Sequence, residues 1–387
     1  MKKSKLLALP LVMAMTACNN PAPAGFSTKV ELPAGGTEVT TAEESKSTYK
    51  ADLKSFIDGI ANSLLQDSIK LSLDIDVNAK GIPFGEDTTG NASLKLQADA
   101  YFNIPETQEE YASAYLDIKD LSLTVSEIPN IGAISVSGLK LNAYYYVSED
   151  SAKVYLDISD PSVKENLVPV LQKVVDYFLS LDPSQQIQID VEQMYNTFFA
   201  GGKAIYTVPE VTIDEQSGTT TIDPLGYYLY TAKAGLPFIF SLINIDDIMA
   251  QLDENAPSLF EYKDSSGKVN RVGVTVERDV VEEMGNIEQA AEYQNTFSKG
   301  TAGVGLLVGN TTGSTNALAL EYLGVKLDAT TANPEVDVQG SAEVNVSYNE
   351  QAQFNPLTEE EAAEYTIDIN AIIELIKMII NAGGPLG

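Results

Sequence analysis

The chain has 387 residues and a formal charge of −31, from 24 basic against 55 acidic side chains. So acidic a chain repels phosphate backbones and anionic headgroups, which excludes nucleic-acid binding and attachment through a polybasic patch. With no histidine, no tryptophan and one cysteine, Ser-His-Asp and Cys-His machinery, internal disulfides and the usual zinc and copper ligands are excluded too.

The N-terminus opens with Lys2, Lys3 and Lys5, followed by an apolar run from Leu6 to Met15 that is too short to span a bilayer. Next comes Met15-Thr16-Ala17-Cys18. This resembles the lipobox of bacterial lipoproteins, with Met where Leu is usual. The resemblance implies cleavage before Cys18, acylation of its thiol, and membrane attachment through that lipid anchor. Residues 1–17 are then a signal peptide, and the protein is extracytoplasmic: at the cell surface, or in the periplasm or outer membrane where the host has one. Residues 18–48, rich in Pro, Thr, Ser, Glu and Gly without a sustained period, read as a disordered tether. Residues 49–387 read as the globular region.

Leu53, Phe56, Ile57, Ile60, Leu64 and Leu65 predict a helix over Tyr49 to Gln66. A period of two follows. Ile69 to Val77, Ala92 to Phe102, Ala112 to Ile118, Ile134 to Val147 and Ala152 to Ile158 alternate apolar and polar residues, as half-buried antiparallel strands do. The parity of the fourth run flips at Gly138, which predicts a bulge. Helical spacing returns over Ser162 to Leu181, behind Asp160-Pro161. Strands are expected at Ala204 to Ile213, Thr219 to Thr231 and Leu259 to Lys263, the last turning through Asp264-Ser265-Ser266-Gly267 into Val269 to Val276. A helix over Val280 to Phe297 precedes strands at 304–308, 317–322, 325–329 and 336–346. A C-terminal helix ends at Gly383-Gly384-Pro385. The globular region reads either as one body with large insertions or as two similar units with a boundary near 183–203.

Three segments share one scheme: Ile189-Asp190 with Met194, Ile243-Asn244 with Ile248, and Ile367-Asp368 with Ile372. Each reads as an Asp or Asn N-cap flanked by apolar residues at N′ and N4, so these acids are helix starts rather than catalysts or ligands. The Ser-x-x-Lys matches at Ser47, Ser137 and Ser265 lack partner motifs. Gly303-Val304-Gly305 lacks the third glycine of a dinucleotide fingerprint. No EF-hand loop is present, and a Ca²⁺ site would have to be assembled from loop acids such as Asp246, Asp247 and Asp253. No cofactor is implied, and the chain reads as a non-enzyme. The tyrosines of Tyr144-Tyr145-Tyr146 suit either the rim of an apolar cavity or the filling of a wide sheet.

The expected fold is therefore α+β: a large curved antiparallel meander, half-barrel-like, covered by several helices, with the C-terminal helix packed on the sheet. In element order and anchoring it resembles the lipoprotein-carrier (LolA-type) fold, which mycobacterial glycolipid-carrier lipoproteins share. That resemblance implies an apolar or amphiphilic, lipid-like ligand held between sheet and helices. Tyr144, Tyr146, Ile372, Ile376 and Ile379 are the expected cavity lining. The C-terminal segment supports this, because Asn370, Glu374, Lys377 and Asn381 form one narrow polar stripe and every other position from Ile369 to Ile380 is apolar. The alternatives are a surface scaffold without a small ligand and a carboxylate-dependent hydrolase. The anchor is tested by Cys18→Ser, which should remove lipidation and release the protein from the membrane fraction. A processed variant that still sediments with membranes would contradict the lipobox reading.

Overall fold

Alternating side chains build most of this protein, as the long strands show. The computed structural model describes residues 27–350 except 43, 64, 85–87, 108, 149–150, 181–187, 199–201, 215–216, 253–255, 283–295 and 311–316. In chain order the elements are β1 (Thr37–Val39), α1 (Lys46–Ser63), β2 (Ser68–Pro83), β3 (Thr89–Asn103), β4 (Ser113–Ile128), β5 (Gly132–Ser148) and β6 (Ser151–Asp157). A turn of π-helix (Val163–Leu167) runs into α2 (Val168–Ser180), followed by α3 (Val191–Phe198), β7 (Lys203–Val208), β8 (Val211–Asp214) and β9 (Thr219–Thr221). Then come α4 (Pro224–Ser241), α5 (Ile245–Gln251), β10 (Ser258–Lys263), β11 (Val269–Asp279), β12 (Phe297–Gly309), β13 (Ala319–Thr331) and β14 (Asp337–Tyr348). The fold is α+β, with a large open sheet of 12 antiparallel strands and a separate β8–β9 hairpin. The chain divides into two compact units at Gly81/Ile82 and at Tyr230/Thr231, not near 183–203.

In the first unit the strand order is β1-β10-β11-β12-β13-β14-β2. Helix α1 lies on one face of this sheet. Tyr49, Leu53, Phe56 and Ile57, spaced one and two helical turns apart, pack with Leu259, Val272, Val274 and Val308. Gly59 permits the approach, since a Cβ there would come within 2.9 Å of the Val308 side chain. Phe240, Ile243, Ile245 and Ile248, from the end of α4 through α5, complete this core.

The opposite face carries a different closure. Thr28 and Val30 are fully buried, while Lys29 and Glu31 are exposed. The segment from Thr28 to Leu32 is a strap laid across β11, β12 and β13. A side chain at Gly303 would strike the Thr28 carbonyl, one at Gly305 or Gly324 would strike Val30, and one at Gly273 would strike Leu32. The Thr28 hydroxyl hydrogen-bonds with Glu277 and, at 3.0 Å, with Thr301. Downstream, the Tyr262 hydroxyl donates to the Pro33 carbonyl at 2.8 Å, and β1 pairs with β10. The expectation of a structureless tether through residue 48 is therefore corrected from Ser27 onward. These residues take up an alternating register because glycines opposite them leave a trench to fill.

The second unit orders its strands β3-β4-β5-β6-β7. The bulge expected at Gly138 is present. Leu121 pairs with Leu139 and Leu123 with Val136, so β5 holds one extra residue there. Gly138 has φ +63° and donates its N–H to Ser122 Oγ at 2.9 Å. The parity flip leaves both Val136 and Leu139 buried against Val163, Leu167, Val170 and Tyr195 of the helical segments. The turn through Asp264 to Gly267 also forms as read, with the Asp264 carboxylate accepting from Ser266 N and Lys268 N.

Two other expectations are corrected. Thr219 to Thr231 is not a strand, since β9 ends at Thr221 and α4 begins at Pro224. Asp223 caps that helix, accepting from Gly226 N at 2.8 Å, and proline in the first turn overrides the β-propensity of Tyr227, Tyr228 and Tyr230. The strands expected at 317–322 and 325–329 are one strand, Ala319–Thr331, because Gly324 makes room for Val30 rather than a turn. The helix expected over 280–297 begins as read, since Val280 to Glu282 are helical and the Asp279 carboxylate accepts from Val281 N at 2.9 Å and Glu282 N at 3.0 Å; Phe297 belongs to β12, and 283–295 lie outside the described residues. The C-terminal helix, with Ile372, Ile376 and Ile379, and Cys18 also lie outside them.

Two of the three capping assignments can be inspected. Asp190 accepts from Gln193 N at 2.9 Å and Asn244 from Asp246 N at 3.0 Å. Asp190→Ala and Asn244→Ala should each cost about 0.5–2 kcal/mol in chemical denaturation. A loss in the second decimal place would mean that the caps contribute nothing.

Candidate functional site

The strand pairing of the first unit places apolar residues in continuous rows on the face that carries α1. Leu306, Leu323, Val344 and Leu73 pair in sequence across β12, β13, β14 and β2. The next rows are Val304, Val325, Ala342, Ile75 and then Ala302, Leu327, Gly340, Val77. All twelve positions are apolar and only half-buried. The helix accounts for the difference from the core: it covers Leu259, Val272, Val274 and Val308, whereas Leu323, Val325 and Ile75 lie beyond the core packed under it. With strands about 4.8 Å apart and about 6.8 Å between same-face residues, the tract measures roughly 14 by 14 Å between its outermost Cα atoms. On the reverse of the same strands, Ser341, Glu343, Asp74 and Asp76 show the polar side of the alternation.

The second unit sorts its tyrosines onto two faces. Tyr145 lies on the face of Leu141, toward the helical segments, and donates to the Asp223 carboxylate at 2.6 Å. Asp223 also accepts from Ala112 N at 2.8 Å. Burial first, and this hydrogen bond second, push the Tyr145 hydroxyl well above its usual range. Tyr144 and Tyr146 face the other way, as expected from the alternation, and so lie opposite the helix-covered face. They continue a ladder in which Tyr101, Tyr115 and Tyr144 are paired across β3, β4 and β5, with ring centroids 5.9 and 6.5 Å apart. Tyr144 stacks on Tyr146 at 5.5 Å.

One row along from the ladder, Asp99, Asp117, Asn142, Asp157 and Lys203 pair strand by strand. Lys119 binds Asp99 at 2.6 Å, and the Asn142 amide donates to Asp117 at 2.8 Å. These groups neutralise or hydrogen-bond one another, as a polar sheet face requires. An open polar cavity of about 460 Å³ beside them is lined by Asp117, Lys119, Lys140, Asn142, Asp157 and Ser159 among others. Among the described residues no group of three or more metal-ligating side chains is close enough to hold an ion. Asp246, one of the loop acids considered for Ca²⁺, forms an ion pair with Lys50 instead.

The most perturbed carboxyl group is one the sequence patterns do not mark. Asp52 sits on the inner side of α1, 6% exposed, and its Oδ2 has no hydrogen-bond partner among the described residues. Burial, reinforced by the Glu261 carboxylate and partly offset by Lys263, raises its pKa to about 6. Glu261 is itself bonded to Lys263 at 2.5 Å. Only the helical phase of Asp52, one residue before Leu53 in a stripe of inward positions, hinted at its burial.

No family model and no curated protein matches the sequence. Among solved structures, the chain is similar to one describing lipid–protein interactions in lipovitellin, at 10% identity and a TM-score of 0.24, over 75% of this chain but only 26% of that one. It is also similar to a β-barrel-like protein of a domain of unknown function from Brucella abortus, at 8% identity and a TM-score of 0.15, over 74% of this chain and 99% of that one. Both likenesses are weak.

Asp52 generates a pH test. Its folded pKa, about 6, lies above the usual carboxylate value, so the folded state holds this proton more tightly than the unfolded state. The group's contribution to stability is therefore fully present below about pH 4 and is lost as pH rises through about 6. Asp52→Asn should flatten that part of the pH–stability profile and stabilise the protein at pH 8 by roughly 1–3 kcal/mol, the scale of an unpartnered buried polar group. Parallel wild-type and variant profiles between pH 4 and 8 would contradict the assignment.

Proposed function

We propose that the protein is a membrane-anchored extracytoplasmic lipoprotein, without enzymatic activity, that binds an apolar or amphiphilic molecule on the open apolar rows of its first unit. The single supporting observation is the three-row tract from Leu306 to Val77: four strands deep, uninterrupted by a polar side chain, and half-buried, with Leu306 and Val344 at its edge packing on the neighbouring cores. Exposed apolar tracts of a few hundred Å² on soluble bodies mark surfaces that something else covers. An acyl chain suits this one, since it needs only dispersion contacts and removal from water. The Cys18 anchor, read from the lipobox, would keep the tract beside a membrane source of such molecules.

A scaffold reading has an observation of its own. Tyr228, Phe238 and Leu242, on or just after α4, are 60%, 65% and 67% exposed, which suits contact with a protein partner. The two readings separate experimentally. Native mass spectrometry of protein extracted from membranes should show co-purifying lipid, and cis-parinaric acid should bind with enhanced fluorescence. Val325→Asp, at the centre of the tract, should abolish probe binding while leaving the melting transition in place. Equal probe binding by wild type and variant, or none by either, would sink the carrier reading and leave the scaffold.

A further inference from the structure

The start of α4 carries a stripe of its own. Asp223, Tyr227 and Tyr230 follow one another at i, i+4 and i+7 and so share one side of the helix, while Tyr228 points elsewhere and is 60% exposed. The stripe lines a cavity of about 220 Å³. Its other sides come from the β8–β9 hairpin and from Pro105, Glu110 and Tyr111 in the connection between β3 and β4. All of these residues belong to the second unit. Gly226 lets the helix begin this close to its cap, since a Cβ there would come within 2.0 Å of the Asp223 carboxylate.

Charge is the first property that decides what the cavity can take. Asp223 is 5% exposed, and its donors are all neutral: Ala112 N at 2.8 Å, Gly226 N at 2.8 Å and the Tyr145 hydroxyl at 2.6 Å. Exposed Glu110 adds a second acid, and no lysine or arginine lines the cavity. Among the described residues neither carboxylate forms an ion pair. A carboxylate held by neutral donors keeps its field, and walls of low dielectric strengthen it.

Hydrogen bonding is the second. Both Asp223 oxygens already accept from the chain, and Glu110 Oε2 accepts from Glu106 N at 2.8 Å. A metal ion needs several oxygen ligands and a primary ammonium needs acceptors for three N–H groups, so both are poorly served. A quaternary ammonium donates no hydrogen bond. It is held by the negative faces of aromatic rings and by nearby anionic charge.

We propose that this cavity binds a trimethylammonium group, with Tyr111, Tyr227 and Tyr230 supplying the rings and Asp223 and Glu110 the counter-charge. The volume lies below the roughly 300–1,000 Å³ of pockets for drug-sized ligands and suits a single headgroup. A free solute and the headgroup of a choline lipid present the same cation. The site needs neither the apolar rows of the first unit nor the lipid anchor.

Isothermal titration of purified full-length protein in dodecyl maltoside provides the test. Choline should bind, whereas its uncharged carbon isostere 3,3-dimethylbutan-1-ol and the primary amine ethanolamine should bind roughly tenfold more weakly or worse. Tyr111→Leu and Glu110→Gln, both at exposed positions, should each weaken choline roughly fivefold and leave the melting transition in place. Displacement of bound choline by dihexanoylphosphatidylcholine would identify a lipid headgroup as the ligand, and failure to displace it a free solute; either result upholds the site. Equal binding of choline and its isostere, no binding of choline, or unchanged affinity in both variants would overturn it.

Discussion

A β-strand sends successive side chains to opposite faces, and in this protein that parity decides what is buried, what is open and what is read as a site. In the first unit the same strands present Val304, Leu306 and Val308 to one side and Gly303, Gly305 and Leu307 to the other. On the first side α1 covers part of the apolar surface. On the second the strap occupies a trench that exists only because alternate positions are glycine. Where parity would have failed, the chain corrects it, and the extra residue at Gly138 returns Leu139 to the face of Val136.

The strap and the helix close the first unit by opposite means. Helix α1 contributes large side chains, Tyr49 and Phe56 among them, and needs one glycine, Gly59, to come close to Val308. The strap contributes Thr28, Val30 and Leu32, and the sheet supplies the clearance. Glycine inside a strand weakens it by entropy and lost packing, a cost that four positions bear so that Thr28, Val30 and Leu32 can be seated. The arrangement makes the N-terminal segment part of the fold instead of a loose lead.

Much of this was legible in the sequence, and what was not has physical reasons. Long runs with period two, the Gly138 flip, the Asp264 turn and the Asp190 and Asn244 caps are local signals, and each is found where it was read. The strap was missed although Thr28, Val30 and Leu32 alternate with Lys29 and Glu31, because its partner signal, four glycines, begins 241 residues after Leu32 in the chain. Of those glycines, Gly324 was read as a break between two strands, which split β13. Tyr227, Tyr228 and Tyr230 pulled α4 toward a strand until the Asp223-Pro224 start overrode them. The tyrosines of the expected cavity were placed on the right strand, but only the pairing shows that Tyr145 faces the helical side and Tyr144 and Tyr146 the other. The open apolar rows needed pairing most of all: Ile75, Val325 and Ala342 become neighbours only once β14 lies between β2 and β13.

A sheet this wide, with an apolar tract left open, faces the hazard of pairing with a second copy along its edges. The outer strands answer it by being short. β1 offers three residues, Thr37–Val39, beside the six of β10, and β7 ends at Val208 before Pro209, which has no N–H to donate. The net charge of −31 adds long-range repulsion between copies. Face-to-face association of the open rows is opposed by that same repulsion, whereas a neutral or zwitterionic amphiphile is not. On the proposed reading, the acidity that excludes nucleic acid would also favour a small uncharged-tailed molecule over another copy of the chain at the apolar face.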